Sequence, residues 1–226
     1  MTQFELLQRY IEGVAKGYSN SLVVVSPAGF GKSETTLTTL KNLGYQENQD
    51  FIYTSNYITP VELFLLLQQN NNKIVVLDDC EDTLHDPKAI GILKGALWSV
   101  VGKKRVINWT SGTYRIKEKS FEFSGKIIFL LNQINNKSNL IKALKDRGLY
   151  LELNFTKSEL VELMKEKIKN DYKEVPLEIK NNIVEIINKV GSTNISLRAL
   201  PKCIQLYQLS PNHYQVLISA MLQEKI

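Results

Sequence analysis

Short apolar runs alternate with helical patterns along the chain up to about residue 155. The runs at 22–25 and 74–77 are fully apolar, which is typical of strands that are buried on both faces of a parallel sheet. The segments between the runs carry helix-start signals such as Thr59-Pro60-Val61-Glu62, which has an N-cap residue, a proline at the first helical position and an acid at the third. We predict an α/β fold in which helices flank a five-stranded parallel sheet, with strands at 22–25, 51–54, 74–77, 127–131 and 150–153.

The pattern changes after Phe155, where every remaining segment is typical of helix. Thr156-Lys157-Ser158-Glu159 is a capping box, and Pro176, Asn194-Ile195-Ser196 and Ser210-Pro211 mark further helix starts. We therefore predict two parts, an α/β core at 1–155 and an all-helical lid at 156–226.

The composition is that of a globular protein with one α/β domain and a small appendage. Of the 226 residues, 43% are hydrophobic and 23% are charged. The chain has no apolar stretch of about 18 residues that would span a membrane, and its first residues do not resemble a signal peptide. Cys80 and Cys203 lack metal-ligand spacing, so we expect reduced thiols in a cytoplasmic protein with no membrane partner.

A candidate phosphate-binding loop follows the first predicted strand and opens a helix. Its glycines let backbone N–H groups approach phosphates, and the helix amino terminus adds positive potential. Lys32 is expected to reach the β- and γ-phosphates, and the Ser33 hydroxyl to ligate Mg²⁺. Ser26 replaces the leading glycine of the usual pattern, at the least demanding of its three glycine positions. The predicted nucleotide-binding residues are Pro27, Ala28, Gly29, Phe30, Gly31, Lys32, Ser33 and Glu34.

Two acids, Asp78 and Asp79, end the third predicted strand. Ligands of an open parallel sheet bind at the carboxyl ends of its strands, so we expect both acids to face the same crevice as the loop. Asp78 is the predicted Mg²⁺ residue, acting through water, and Asp79 is predicted to orient or activate the attacking water. Glu81 and Asp82 follow closely and leave the choice of the catalytic acid open.

With these motifs in this order, the chain resembles an AAA+ ATPase from about residue 22 to about residue 209. The family has a polar residue, matched by Asn132, that bonds the lytic water or the γ-phosphate. It also has an arginine finger directed at the neighbouring subunit's nucleotide, matched by Arg147, and a lid arginine that reaches the γ-phosphate, matched by Arg198. Two of the chain's five arginines thus occupy the two required positions. The resemblance implies that Asp79, Asn132, Arg147 and Arg198 are catalytic, that ATP and Mg²⁺ are the cofactors, and that the chain forms a homo-oligomer through Arg147 in trans.

Asp79 departs from the family pattern, which usually has glutamate at this position. One fewer methylene sets the carboxylate about 1.5 Å back from the water. We therefore expect either slow hydrolysis or a role as a nucleotide-gated switch. The pair Asp78-Asp79 resembles the acidic pair of some replication initiators in the family, which favours a function that involves nucleic acid.

Residues 103–119 form a basic segment with interleaved aromatic residues. Alternating flanks around Ser111-Gly112-Thr113 predict a β-hairpin. Aromatic side chains among lysines and arginines stack on bases and follow phosphates, and the net charge of +5 and pI near 9.0 are compatible with nucleic acid. The alternative is an ordinary surface hairpin in which Trp109 packs on the core. The residues expected to contact DNA or RNA are Lys103, Lys104, Arg105, Trp109 and Arg115.

We predict an AAA+ ATPase that loads or remodels nucleic acid or a nucleoprotein complex. The alternatives are an ATP-dependent protein remodeller or chaperone, a small-molecule kinase, and a nucleotide-binding subunit without turnover. A kinase would need a set of substrate-binding arginines in its lid, where this chain has only Arg198. A protein remodeller would need an aromatic-hydrophobic pore loop, for which the sequence offers no clear candidate.

Overall fold

A computed structural model of the chain describes residues 1–55, 57–98, 103–112, 114–132, 142, 145–190 and 195–223. Five parallel strands form the main sheet in the spatial order β2-β3-β6-β1-β7. These strands are β1 (Ser21–Val25), β2 (Phe51–Ser55), β3 (Ile74–Asp78), β6 (Lys126–Leu131) and β7 (Leu149–Glu152). An antiparallel pair is formed by β4 (Val106–Asn108) and β5 (Ser120–Glu122). The predicted five-stranded parallel sheet is confirmed, and every strand begins and ends within one residue of its predicted bounds.

The carboxyl ends of the three central strands lie level with one another. Val25 at the end of β1 pairs with Leu131 of β6, and Asp78 at the end of β3 pairs with Leu130. All five residues of β1 and of β3 are buried, as expected for strands covered on both faces. The residues that follow β1, β3 and β6 therefore emerge together along one edge of the sheet.

By their contacts, the residues divide into two compact units. The first comprises Met1–Pro27 and Lys32–Leu153 and contains both sheets. The second comprises Asn154–Ile226 together with Ala28–Gly31, the tip of the candidate phosphate-binding loop. None of the helices within the described ranges is long and apolar enough to cross a bilayer.

The helices of the first unit begin at the capping signals seen in the sequence. They are α1 (Gln3–Ala15), α2 (Lys32–Asn42), α3 (Pro60–Gln69) and α4 (Pro87–Leu97). Thr59 and Glu62 form the capping box of α3, and the Asp86 carboxylate caps α4. One face of the main sheet packs against α3, α4 and the β4–β5 pair, around residues such as Phe64, Leu93, Ile107 and Phe129.

The second unit is helical in the part of it that the structure describes. Its helices are α5 (Lys157–Asn170), α6 (Leu177–Val190), α7 (Ala199–Leu209) and α8 (Tyr214–Gln223). The predicted capping box of Thr156 and Glu159 begins α5, whereas Asn194, part of another predicted start signal, lies outside the described residues. The core of this unit includes Leu160, Met164, Ile183, Ile187, Leu200, Cys203, Ile204 and Ile218.

The two strands of the predicted hairpin are β4 and β5. A longer connection joins them in place of the tight turn expected at Ser111-Gly112-Thr113. Residues 109–119 connect the two strands, and Thr113 lies outside the described residues. The cause is packing, because Trp109 is only 7% exposed and meets the Phe64 ring edge-on at 5.8 Å between centroids. Ile116 is also buried, so the connection folds against the core instead of extending the ladder.

Two of the five residues predicted to contact nucleic acid make contacts within the protein instead. Trp109 is buried, as the alternative interpretation of the hairpin predicted. The Arg105 guanidinium donates to the carbonyl oxygens of Ala96 and Gly125, at 2.7 Å each. Burial lowers the pKa of Arg105. The exposed members of the set are Lys103, Lys104 and Arg115.

Trp109 offers a test of this packing, because its indole N–H is buried without a hydrogen-bond partner among the described residues. Trp109→Ala should lower the free energy of unfolding by about 3–5 kcal/mol, because it empties a large buried volume. Trp109→Phe should cost less, because it refills part of that volume and removes an unpaired donor whose burial costs about 1–3 kcal/mol. Urea unfolding followed by circular dichroism measures both losses. Equal losses in the two variants would contradict an unpaired N–H.

Candidate active site

The candidate site lies at the carboxyl edge of the main sheet. Ser26 follows β1, Asp79 follows β3 and Asn132 follows β6, so the register of the strands brings these three positions together. The backbone continues the ladder past the strand ends, since the Ser26 N–H donates to Leu131 O and the Asp79 N–H to Leu130 O, both at 3.0 Å. This edge is where parallel α/β sheets bind their ligands.

The loop between β1 and α2 has the backbone of a phosphate cradle. Gly29 and Gly31 have φ angles of 82° and 80°, a left-handed conformation that glycine adopts without steric cost. The loop ends at Lys32, the first residue of α2, so the helix amino terminus points its N–H groups at the loop. Pro27 and Ala28 are exposed on the loop, and Glu34 is exposed in the first turn of α2.

Lys32 is held inside the first unit by acceptors at the sheet edge. Its side chain is 6% exposed, and Nζ donates to Asn132 Oδ1 at 2.5 Å and to Ser26 O at 3.5 Å. Nζ also lies 3.8 Å from Asp79 Oδ1. The Lys32 ammonium therefore lies at the carboxyl ends of β1 and β6.

Asp78 and Ser33 form the predicted cation site. Asp78 is 4% exposed, and its Oδ2 accepts from the Ser33 hydroxyl at 2.5 Å and from the Tyr53 hydroxyl at 2.7 Å. Its Oδ1 is buried with no hydrogen-bond partner among the described residues. A buried carboxylate oxygen without a partner is costly, and a hard cation such as Mg²⁺ would satisfy it. The residues present thus fit a Mg²⁺ ion held by Ser33 and Asp78 beside bound phosphate.

Tyr53 on β2 fixes the orientation of Asp78. Burial of the phenol, together with its hydrogen bond to Asp78, raises the pKa of Tyr53 well above its ordinary value. The hydroxyl therefore remains a donor at physiological pH. It engages only Oδ2 and leaves Oδ1 for a cation.

Asn132 links Lys32 to Asp79. Its amide oxygen accepts from the Lys32 ammonium, and its Nδ2 donates to Asp79 Oδ1 at 2.7 Å. An ammonium only donates and a carboxylate only accepts, so the two partners fix the direction of the amide. One cation, one amide and one carboxylate thus lie side by side at the carboxyl edge of the sheet.

The structure separates the roles of the neighbouring acids. Glu81 Oε1 accepts the backbone N–H of Asn132 at 2.5 Å, so this carboxylate supports the strand end. Asp82 is exposed at the start of a short 3-10 helix (Asp82–His85). Asp79 alone among these three contacts both the Asn132 side chain and, at 3.8 Å, Lys32.

The backbone of Asp79 gives a physical reason for aspartate at this position. Its φ is 51°, in the left-handed region that aspartate and asparagine tolerate better than residues with longer side chains. A glutamate here would carry a larger steric cost. The shorter side chain is therefore matched to the local backbone.

Arg147 lies at the other edge of the main sheet from this cluster, and Arg198 belongs to the second unit. Arg147 is exposed, just before β7 and thus at the amino edge of the sheet, and its guanidinium lies 5.1 Å from the centre of the Trp98 ring. The preceding helix predicted from the stretch 140–147 is described only at 142 and 145–147. Arg198, in the second unit, occupies the N-cap position of α7 and lies beside the loop tip, 3.1 Å from where a Cβ on Gly29 would be.

Three contributions to the site were missed by sequence reasoning. They are the hydrogen bond from Tyr53 to Asp78, the support of Asn132 by Glu81, and the packing of Phe30 on Phe155. A tyrosine in the strand beside the acidic strand was a signal for the first. The other two depend on contacts between residues far apart in sequence and had no local signal.

Comparisons with known proteins support the fold. No protein-family model matches the chain, and no match was found among curated protein sequences. Solved structures do match. A variant of RuvB from Thermotoga maritima is 13% identical with a TM-score of 0.60, covering 96% of this chain and 67% of that one. PCH-2 of C. elegans is 13% identical with a TM-score of 0.55, covering 99% and 65%. A DNA replication initiation factor is 15% identical with a TM-score of 0.50, covering 91% and 59%.

The chain shares its fold with these three solved structures. It spans between 59% and 67% of the length of those proteins. At identities this low the likeness concerns the fold, and the chemistry must be argued from the site itself.

Proposed function

We propose that this chain is an AAA+ ATPase that binds and hydrolyses ATP with Mg²⁺. The observation that carries the proposal is the cluster at the carboxyl edge of the sheet, where Lys32, Asn132 and Asp79 contact one another beside the Ser33–Asp78 pair. A cation, a hydroxyl–carboxylate pair and a polarising amide are the groups that phosphoryl transfer needs around the γ-phosphate. The loop between β1 and α2 also has two glycines in left-handed conformations, which a phosphate-binding loop requires.

The residues of the chain have distinct roles in this proposal. Lys32 exchanges Asn132 for the β- and γ-phosphate oxygens, and Ser33 and Asp78 hold Mg²⁺. A Mg²⁺ ion held by these two residues would neutralise the charge that builds on the phosphate oxygens. Asn132 then has its amide oxygen available for the attacking water, while Asp79 takes up the water's proton. The hydrogen bond from Asn132 Nδ2 to Asp79 Oδ1, at 2.7 Å, holds the two side chains together.

We further propose that Arg147 completes the site of a second copy of the chain. Arg147 lies before β7, whose four residues span about 13 Å, so it is at the opposite edge of the sheet from its own Asp79. A guanidinium on that edge serves a neighbour's γ-phosphate in a head-to-tail assembly. Stacking on Trp98 limits its motion, and Lys145 adds positive charge nearby. The opposite edge is acidic, with Asp78, Asp79, Glu81 and Asp82, so the two edges are complementary in charge.

The role proposed for the hydrolysis is the loading or remodelling of nucleic acid or of a nucleoprotein complex. The chain has a net charge of +5, and Lys103, Lys104 and Arg115 remain exposed near the β4–β5 pair. Lys104 is paired with Glu122 at 2.7 Å, so the local charge is partly neutralised. One of the similar structures is a DNA replication initiation factor, which agrees with a proposed role in acting on nucleic acid.

The test is ATP turnover at low salt, with and without single- and double-stranded DNA or RNA, using Lys32→Ala as the blank. We expect turnover above the blank, stimulation by nucleic acid, and loss of the stimulation as salt rises. A Lys103→Gln/Lys104→Gln variant should reduce the stimulation but leave the basal rate unchanged. Its matched control is Lys165→Gln/Lys189→Gln, which removes the same charge from exposed positions of the second unit.

The outcomes separate the two parts of the proposal. Turnover equal to the blank would contradict an ATPase. Turnover that is unaffected by nucleic acid would contradict the nucleic-acid role and would favour a protein as the remodelled substrate.

A further inference from the structure

The tip of the phosphate-binding loop packs within the second unit. The Leu197 N–H donates to Gly29 O at 3.0 Å, next to the start of α7. The Phe30 ring lies 5.7 Å from the Phe155 ring between centroids, and both rings pack against the core of the helices α5–α8. By its contacts, therefore, Ala28–Gly31 belongs to the helical unit, although α2 and β1 on either side belong to the first unit.

The backbone at Gly29 leaves no room for a side chain. A Cβ there would lie 3.0 Å from both Cβ and Oγ of Ser196 and 3.1 Å from Cδ of Arg198. Such distances are tighter than ordinary van der Waals contact, so the segment 196–198 is seated directly on the loop. The loop conformation and the position of this segment are thus set together.

The identity of residue 30 has no explanation in phosphate chemistry. Backbone N–H groups hold the phosphates, and the essential side chains of such a loop are those of Lys32 and Ser33. A large apolar side chain between two glycines would lie in solvent unless another element covered it. Phe155 covers it, from the position just before the Thr156 N-cap, where an apolar residue fixes the entry of the chain into α5.

We propose that Phe30 is a positioning residue that couples nucleotide binding to the helical unit. Phosphate on the loop orders Gly29 and Phe30, which in turn hold Phe155 at the start of α5 and Leu197 before α7. Coupling of this kind is reciprocal, so an ordered helical unit also strengthens nucleotide binding. The inference rests on the proposed function, since it requires that a nucleotide occupies the loop.

The test is hydrogen exchange of peptides from α5 and α7, with and without Mg-ADP and Mg-ATP, alongside nucleotide affinity from a fluorescent analogue. In the wild-type chain we expect nucleotide to slow exchange of these peptides by about 5-fold or more. In Phe30→Ala we expect nucleotide still to bind, with a Kd raised several-fold, but to give no protection of α5 and α7. Phe155→Ala removes the same contact from the other side and should behave alike, while Phe30→Leu should keep part of the protection.

The matched control is Leu209→Ala, which removes a large apolar side chain that is 75% exposed in the same unit. It should leave both affinity and protection unchanged. Full protection in Phe30→Ala, with nucleotide bound, would overturn the inference and leave the proposed function standing. Failure of the wild-type chain to bind nucleotide would overturn both. Exchange without nucleotide shows whether either phenylalanine variant has simply loosened the helices.

Discussion

Asp79→Asn should lower ATP turnover by about 10²–10⁴-fold while leaving nucleotide affinity nearly unchanged. The substitution keeps a side chain of the same shape, and asparagine tolerates the φ of 51° at this position. It also keeps an oxygen that can accept from Asn132 Nδ2, as Asp79 Oδ1 does at 2.7 Å. What it removes is the negative charge and the capacity to take a proton from water. Steady-state kinetics should therefore show the loss in kcat and not in KM.

Three variants sharpen this expectation. Glu81→Gln and Asp82→Asn remove the neighbouring charges and should each retain most of the turnover, because neither carboxylate contacts Lys32 or the Asn132 side chain in the structure. Asp79→Glu should not exceed the wild-type rate, even though glutamate is usual in AAA+ ATPases, because the left-handed backbone disfavours the longer side chain. If Glu81→Gln lost turnover and Asp79→Asn kept it, the assignment of the catalytic acid would be wrong.

Much of the sheet was predictable because the segments 22–25, 74–77 and 127–131 of its three central strands are continuous apolar runs. β1 and β3 are buried on both faces, so the sequence shows them without ambiguity. The parallel arrangement then implies that residues after these strands share one edge, which is why Ser26, Asp78 and Asp79 were expected in one crevice. Strand order and register, which decide that Asn132 stands next to Asp79, follow from long-range pairing.

The parts that escaped prediction depend on tertiary contacts. The preference for Asp79 over Glu81 rests on which carboxylate reaches the Asn132 side chain, and the sequence from Asp79 to Asp82 has no local signal for that contact. Trp109 illustrates the same limit at the predicted hairpin. Its burial against Phe64 outweighs the preference of a Ser-Gly-Thr sequence for a tight turn.

Arg147→Ala should reduce turnover by about 10³–10⁵-fold, the range over which a trans arginine acts in phosphoryl transfer. Nucleotide binding should persist, because Lys32 and the glycine loop are unchanged. Arg9→Ala is the matched control, since Arg9 is an exposed arginine of α1 whose partner is Glu12 and which lies on no proposed site. Size-exclusion chromatography with bound nucleotide should show the same assembly for both variants, which separates a catalytic loss from a failure to assemble.

The decisive form of this prediction is a mixture of two inactive variants. Lys32→Ala subunits lack a working loop but carry Arg147, whereas Arg147→Ala subunits have a complete loop but no finger. In a head-to-tail assembly, a site is complete when the intact loop of an Arg147→Ala subunit faces the Arg147 side chain of a Lys32→Ala subunit. Random mixing of equal amounts makes about one quarter of the interfaces complete. Turnover should therefore recover to about that fraction of the wild-type rate and rise with protein concentration. Each subunit supplies what the other lacks only if the arginine acts across the interface, so a mixture that stays inactive, with assembly intact, would place Arg147 outside the neighbour's site.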